Sequence, residues 1–211
     1  MIILTAGHTG AGTGAQCITT QFDEGAENIW LRNRIAEILT NRYGLVVLMD
    51  EDKASLKLLV KELSRDTECR VLSVNRPTNN QSNKRANARQ DTARRVPTSD
   101  DFVIDIHFNA HTNPQARGAE AIVSDDATTL ELRFASRLAH ATADSLEIPL
   151  RGIKSESQTP HHRLAMLHLT PQSIILEICF CTSPEDVAQY RQHRELLAET
   201  LAKNIAEIIS F

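Results

Sequence analysis

The stretch D-F-V-I-D-I-H-F-N-A, Asp101 to Ala110, decides the fold. Six of its ten residues are apolar, and P-T-S-D before it and H-T-N-P after it are turn-forming. The run therefore reads as a buried strand. Side chains alternate along a strand, so Asp105, His107 and Asn109 share one face. Polar groups on a buried face must pair with one another or bind something. A satisfied internal network and a ligand site are both open at this point.

Outward from that strand the chain alternates between strand and helix patterns. Ile2 to Ala6, Leu45 to Leu48, Arg70 to Val74, Gly118 to Ser124 and Ser173 to Phe180 read as strands. Helical spacing of apolar residues runs from Asp23 or Glu24 to Tyr43, from Ala54 to Leu63 and from Ala127 to Leu146. Ser183-Pro184-Glu185-Asp186 has the form of a helix start, and Glu195 to Ile209 reads as a closing helix. Residues 75–100 are polar and basic, a loop with a surface helix around Ala86 to Arg95. Arg151 to Arg163 is a polar loop without periodicity. This order predicts an α/β protein: one domain over residues 1–211, with a mostly parallel twisted sheet flanked by helices.

Bulk composition narrows the function classes. The 211 residues are 41% hydrophobic and 24% charged, with a net charge of -4. That balance is ordinary for a folded domain and gives no footprint for nucleic acid. No apolar run is long enough to insert in a membrane. The N-terminus, M-I-I-L-T-A-G-H, reads as a first strand rather than a signal peptide. The expectation is a protein made in the cytoplasm that reaches any external substrate by another route. Cys17 and Cys69 stand apart, while Cys179 and Cys181 sit two apart on one strand, so reduced structural thiols are expected.

Three segments carry chemistry. The first strand empties into G-H-T-G-A-G-T-G-A, Gly7 to Ala15, which lacks the phosphate-loop ending and instead offers His8 at the strand's C-terminal end. His107 stands near the end of the central strand. Glu177 interrupts S-I-I-L-E-I-C-F, where a carboxylate is costly unless paired, metal-bound or raised in pKa. Glu24 follows the glycine-rich loop. Two imidazoles and one carboxylate suit a catalytic zinc, which leaves a fourth position for water. On the residues alone, the carboxylate of that set and the general base remain interchangeable.

Taken in order, G-H-T-G-A-G-T-G-A, E-G-A-E-N, D-F-V-I-D-I-H-F-N-A, R-G-A-E, R-G-I-K and I-L-E-I-C-F-C-T-S-P-E-D resemble the zinc-dependent N-acetylmuramoyl-L-alanine amidases of the amidase_3 group, which occur in bacterial wall hydrolases and phage endolysins. The resemblance runs from Ile2 to Ile209. It implies a peptidoglycan hydrolase, endolysin-like in cell-wall lysis, that cleaves the amide between N-acetylmuramic acid and L-alanine. One Zn2+ per chain would sit on His8, Glu24 and His107, with Glu177 as catalytic acid/base. Glu27 competes with Glu24 for the third ligand. Asp105 stands where the family usually has a small hydroxyl residue, and is expected behind a ligand histidine.

Asn109, Arg151 and Lys154 are the expected substrate contacts, the two cations for stem-peptide carboxylates. His161 and His162 read as exposed loop residues, and Trp30 and Tyr190 as packing. His111 makes H-x-x-x-H with His107 but lies outside helical sequence, so it is not expected to bind metal. No wall-binding repeat is present. Two other readings share the scaffold: a zinc peptidase or deacylase of other amides, and an inactive peptidoglycan-binding module.

Overall fold

The central stretch forms a strand in the middle of a seven-stranded sheet. The structure, a computed structural model, describes residues 1–8, 14–17, 19–50, 72–75 and 99–209. In chain order its elements are β1 (Ile2–Ala6), β2 (Gln16–Cys17), β3 (Phe22–Asp23), α1 (Glu24–Tyr43), β4 (Val47–Asp50), β5 (Leu72–Asn75), β6 (Phe102–Asn109), β7 (Ala119–Val123), α2 (Thr129–Leu146), β8 (Leu150–Ser155), β9 (Ser173–Phe180) and α3 (Pro184–Ile209). The sheet order is β5-β4-β1-β6-β9-β7-β8, and β2 and β3 form a separate short ribbon. β4, β1, β6 and β9 run parallel. β5 pairs antiparallel to β4 and β7 antiparallel to β9, and β8 runs parallel to β7. The sheet is mixed and mostly parallel.

Strand alternation separates a structural face from a chemical one. Ile2, Leu4, Ile104, Ile106, Phe108, Ala119, Ala121, Val123, Ile174, Leu176 and Ile178 join one core with the helices. α1 contributes Leu31, Ile35 and Leu39; α2 contributes Phe134 and Leu138; α3 contributes Leu197, Leu201 and Ile205. Residues one step out of phase carry the polar set: Thr5, Asp105, His107, Glu120 and Glu177. A one-residue slip of any strand would exchange the two sets, so burial of the apolar face pins the register.

The helices start where local chemistry allows. Asp23 caps α1 by accepting from the Ala26 amide at 3.2 Å. Thr128 and Glu131 form a reciprocal capping box on α2. Ser183 accepts from the Asp186 amide at 3.3 Å, and Pro184 opens α3. α3 runs unbroken for 26 residues, joining the predicted start at Ser183 to the predicted closing helix.

Two sequence expectations change. The segment 151–163 is not all loop, because its first five residues belong to β8. Ala119 pairs Leu150 but Glu120 pairs Gly152, so Arg151 is an extra residue that breaks the alternation. Cys17 and Cys181, expected as reduced thiols, are joined in a disulfide with Cα atoms 6.0 Å apart. Folding brings together residues 164 apart in sequence, which spacing could not reveal. Cys179 is a buried free thiol, as expected. The predicted strand near residues 70–74 appears as β5, while the predicted helices at residues 54–63 and 86–95 lie outside the described residues.

Leu176 is 1% exposed and fills the centre of the helix-facing core. Replacing it with alanine is expected to cost about 2–5 kcal/mol, read as a lower urea midpoint with an unchanged m-value.

Candidate metal centre and active site

The site is built at the C-terminal edge of the parallel strands, where β1 and β6 deliver ligand-type side chains and α1 begins. Glu24 is the first residue of α1, where the positive end of the helix favours a carboxylate. It is only 2% exposed. Its Oε2 accepts from the Ala15 amide at 2.6 Å and its Oε1 from the Phe108 amide at 3.1 Å. Burial opposes ionisation of Glu24, but His107 and the Ala15 amide outweigh it and hold the pKa below the usual value.

Around this fixed carboxylate stand two imidazoles. Glu24 Oε1 lies 3.8 Å from His8 Nε2 and 3.5 Å from His107 Nδ1. One ligating atom from each of the three residues falls within 4.8 Å of the others. The His8 and His107 rings meet edge to face, with centroids 5.1 Å apart. Burial lowers the pKa of His8, favouring the neutral ring that can donate a lone pair. Gly7 makes room for this arrangement, since a Cβ there would lie 2.0 Å from His107 Nε2.

His107 is held from behind. Its Nε2 lies 3.0 Å from Asp105 Oδ2, while Thr5 Oγ1 donates to Asp105 Oδ1 at 2.7 Å. Asp105 is fully buried. Burial works to lower the His107 pKa, yet Asp105, Glu24 and Glu177 together raise it well above normal. A centre so rich in carboxylates calls for a positive charge, and a divalent ion can replace the proton. Two imidazoles plus one carboxylate, with a carboxylate behind one histidine, fit a catalytic zinc site.

Glu177 is the next residue across the sheet, in register with His107. Its pKa is pushed up to about 7, first by burial and then by Glu24, Glu120 and Asp105, against a lowering by His107. Its Oε2 is buried without a hydrogen-bond partner among the described residues. Glu177 also lines a cavity of about 850 Å³, a placement that suits its carboxyl to proton exchange with a bound molecule.

The other sequence-predicted residues fall into two groups. Asn109, Arg151 and Lys154 line the same cavity and converge on Glu120. Glu120, the acid of R-G-A-E, is a site residue that sequence reasoning missed. Its signal was the same as that of Glu177, an acid inside an apolar strand. Glu27 lies away from the site, accepting from Tyr190 Oη at 3.0 Å and pairing with Arg194 at 3.1 Å. Tyr190 packs in the core and Arg194 covers Trp30, as expected of packing residues. His111 accepts from the Asn113 amide in a loop, and His162 Nδ1 lies 3.1 Å from the Ser157 carbonyl. His161 lines the cavity rim.

Gly7→Ala should displace the His107 ring, so the purified variant should hold far less metal by elemental analysis while keeping its far-UV spectrum. In chelator-treated protein, a Glu177 pKa raised above the unfolded value means stability present at low pH and lost as pH rises through about 7. Glu177→Gln should therefore raise the melting temperature by several degrees at pH 8 and have little effect near pH 4.

Residues 2–210 match the family model Amidase_3, described as N-acetylmuramoyl-L-alanine amidase. Among solved structures, the chain is similar to an N-acetylmuramoyl-L-alanine amidase from Clostridium difficile 630, at a TM-score of 0.71 and 18% identity, covering 99% of this chain and 96% of that one. It is also similar to the catalytic domain of the amidase CwlV from Bacillus (Paenibacillus) polymyxa var. colistinus, at 0.68 and 18%, covering 99% and 97%. The catalytic domain of the CD27L endolysin, which targets Clostridia difficile, matches at 0.56 and 19%, covering 99% and 96%. At these identities the structures establish a shared fold. No curated protein sequence matches the chain. The family match over nearly its whole length shows that the chain belongs to the Amidase_3 family of N-acetylmuramoyl-L-alanine amidases.

Proposed function

We propose that this amidase is zinc-dependent, with one Zn2+ held by His8, Glu24 and His107, and that Glu177 is the proton carrier for hydrolysis of the N-acetylmuramoyl–L-alanine amide of peptidoglycan. The observation that carries this reading is the convergence of one ligating atom from each of those three residues beside a half-buried Glu177 with an unpartnered oxygen. A zinc ion there supplies a water of lowered pKa and polarises the scissile carbonyl.

The protein's own residues do the rest. Asp105 fixes the ring orientation of His107 through Nε2 and leaves Nδ1 facing Glu24. Glu24, ionised and tied to two backbone amides, cannot swing away when charge builds in the site. Glu177 takes the proton of the attacking water and passes it to the departing alanine nitrogen. A pKa of about 7 suits both steps, because the carboxylate and the acid are then both accessible at neutral pH. The cavity wall around Asn109, Arg151 and Lys154 receives the peptide side of the substrate.

Digestion of purified peptidoglycan, followed by labelling of new amino termini, tests the reaction. Free N-terminal L-alanine should appear, vanish with chelator and return with zinc; termini of another residue would mean a peptidase. Glu177→Gln should retain zinc and lose about 10²–10⁴-fold in kcat. Loss of zinc from that variant would make Glu177 a ligand and overturn its assigned role.

A further inference from the structure

Beyond the metal centre, the same sheet face carries a second cluster. His107, Glu177 and Glu120 form one register row across β6, β9 and β7. Glu120 is 2% exposed and directly opposite Glu177, an unfavourable placement of two acids unless one is compensated. The compensation is strong. Glu120 Oε1 accepts from Asn109 Nδ2 at 2.7 Å, and its Oε2 accepts from Arg151 Nε at 2.6 Å and Lys154 Nζ at 2.8 Å.

The backbone is shaped to deliver those cations. Lys154 pairs Ile122, two residues from Glu120, and so faces the same way. Arg151 is the extra residue of the β7–β8 bulge, and Gly152 takes the left-handed conformation (φ 91°) that the bulge requires. The bulge turns Arg151 onto the cavity face, where its guanidinium stacks 4.9 Å above the Phe180 ring. Two cations on one carboxylate leave an excess positive charge beside Glu177. Both side chains remain 34% exposed to the cavity.

We propose that Glu120 is a positioning residue that holds Arg151 and Lys154 as a clamp for a free carboxylate on the stem-peptide residue that follows L-alanine. The enzyme thereby selects stem peptides with that acid over those in which it is a carboxamide. This rests on the reading of the reaction given above. The spacing agrees: neighbouring strands are about 4.8 Å apart. A carboxylate on the residue after the alanine lies about 5–7 Å from the departing nitrogen. An arginine fork and an ammonium both favour a carboxylate over a neutral amide.

The experiment uses two synthetic N-acetylmuramoyl tripeptides that differ only in whether the second residue bears a free carboxylate or a carboxamide. The wild-type enzyme should cleave the acid with kcat/KM about 10- to 100-fold higher, as expected for one charge-assisted hydrogen bond, and the difference should lie in KM. Lys154→Met and Glu120→Ala should each bring the ratio of the two substrates below about threefold; a purely structural Glu120 would slow both substrates alike. Lys154 is partly exposed, so its variant keeps the test valid should Glu120→Ala fail to fold. Equal cleavage by the wild type, or a preference that survives both variants, overturns the clamp. Cleavage of neither substrate overturns the reading of the reaction, and the clamp with it.

Discussion

Four carboxylates, Glu24, Asp105, Glu177 and Glu120, are brought to one end of a single sheet, and the rest of the site follows from the repulsion among them. Glu24, Asp105 and Glu120, at most 2% exposed, cannot be solvated as they would be in water, and Glu177 is half-buried. Each needs a cation or a strong donor. Glu120 has Arg151 and Lys154, Asp105 has Thr5 and His107, and Glu24 has two backbone amides and two imidazoles. Among the described residues, Glu177 alone of the four lacks a fixed partner for one oxygen, and burial together with the other three acids raises its affinity for a proton. The electrostatics thus divide the acids into three that hold their neighbours in place and one that exchanges a proton.

The helix layer makes this tolerable. One face of the sheet is committed to an apolar core with α1, α2 and α3, which supplies the burial that stabilises the domain. The opposite face can then carry polar groups whose desolvation costs stability. The pairing of rigid core and polar site within the same strands gives the site its precision, since β6 and β9 cannot shift without disturbing Ile104, Ile106, Leu176 and Ile178. The buried Arg32–Asp50 pair extends the same logic to the end of β1, where Asp50 Oδ1 accepts from both Arg32 and the Ala6 amide.

Asn109, Arg151 and Lys154 illustrate how a charge read from sequence changes meaning in three dimensions. Read from sequence, Arg151 and Lys154 are free loop cations and Asn109 a strand amide, all awaiting a substrate. In the fold they are already organised by an internal acid, which makes their positions fixed and their net charge smaller. A preset clamp loses less conformational entropy on binding than mobile side chains would.

The sequence by itself determined the strand–helix alternation, the commitment of β6 and β9 to burial, and the anomaly of His107 and Glu177 within them. Those are local properties: side-chain period, end signals and the cost of a charge in an apolar run. Resemblance to a family assigned His8, Glu24 and His107 to one ligand set, which no short-range spacing could. Only the tertiary structure decided that Glu24 rather than Glu27 faces the histidines, a matter of which of two acids one turn apart on the same helix face lies at the strand ends. It alone revealed the Cys17–Cys181 disulfide, the antiparallel β7, and β8 hidden in a segment that looked like loop. Bulges, strand order and long-range pairing depend on contacts between segments far apart in the chain, and periodicity within one segment carries no record of them.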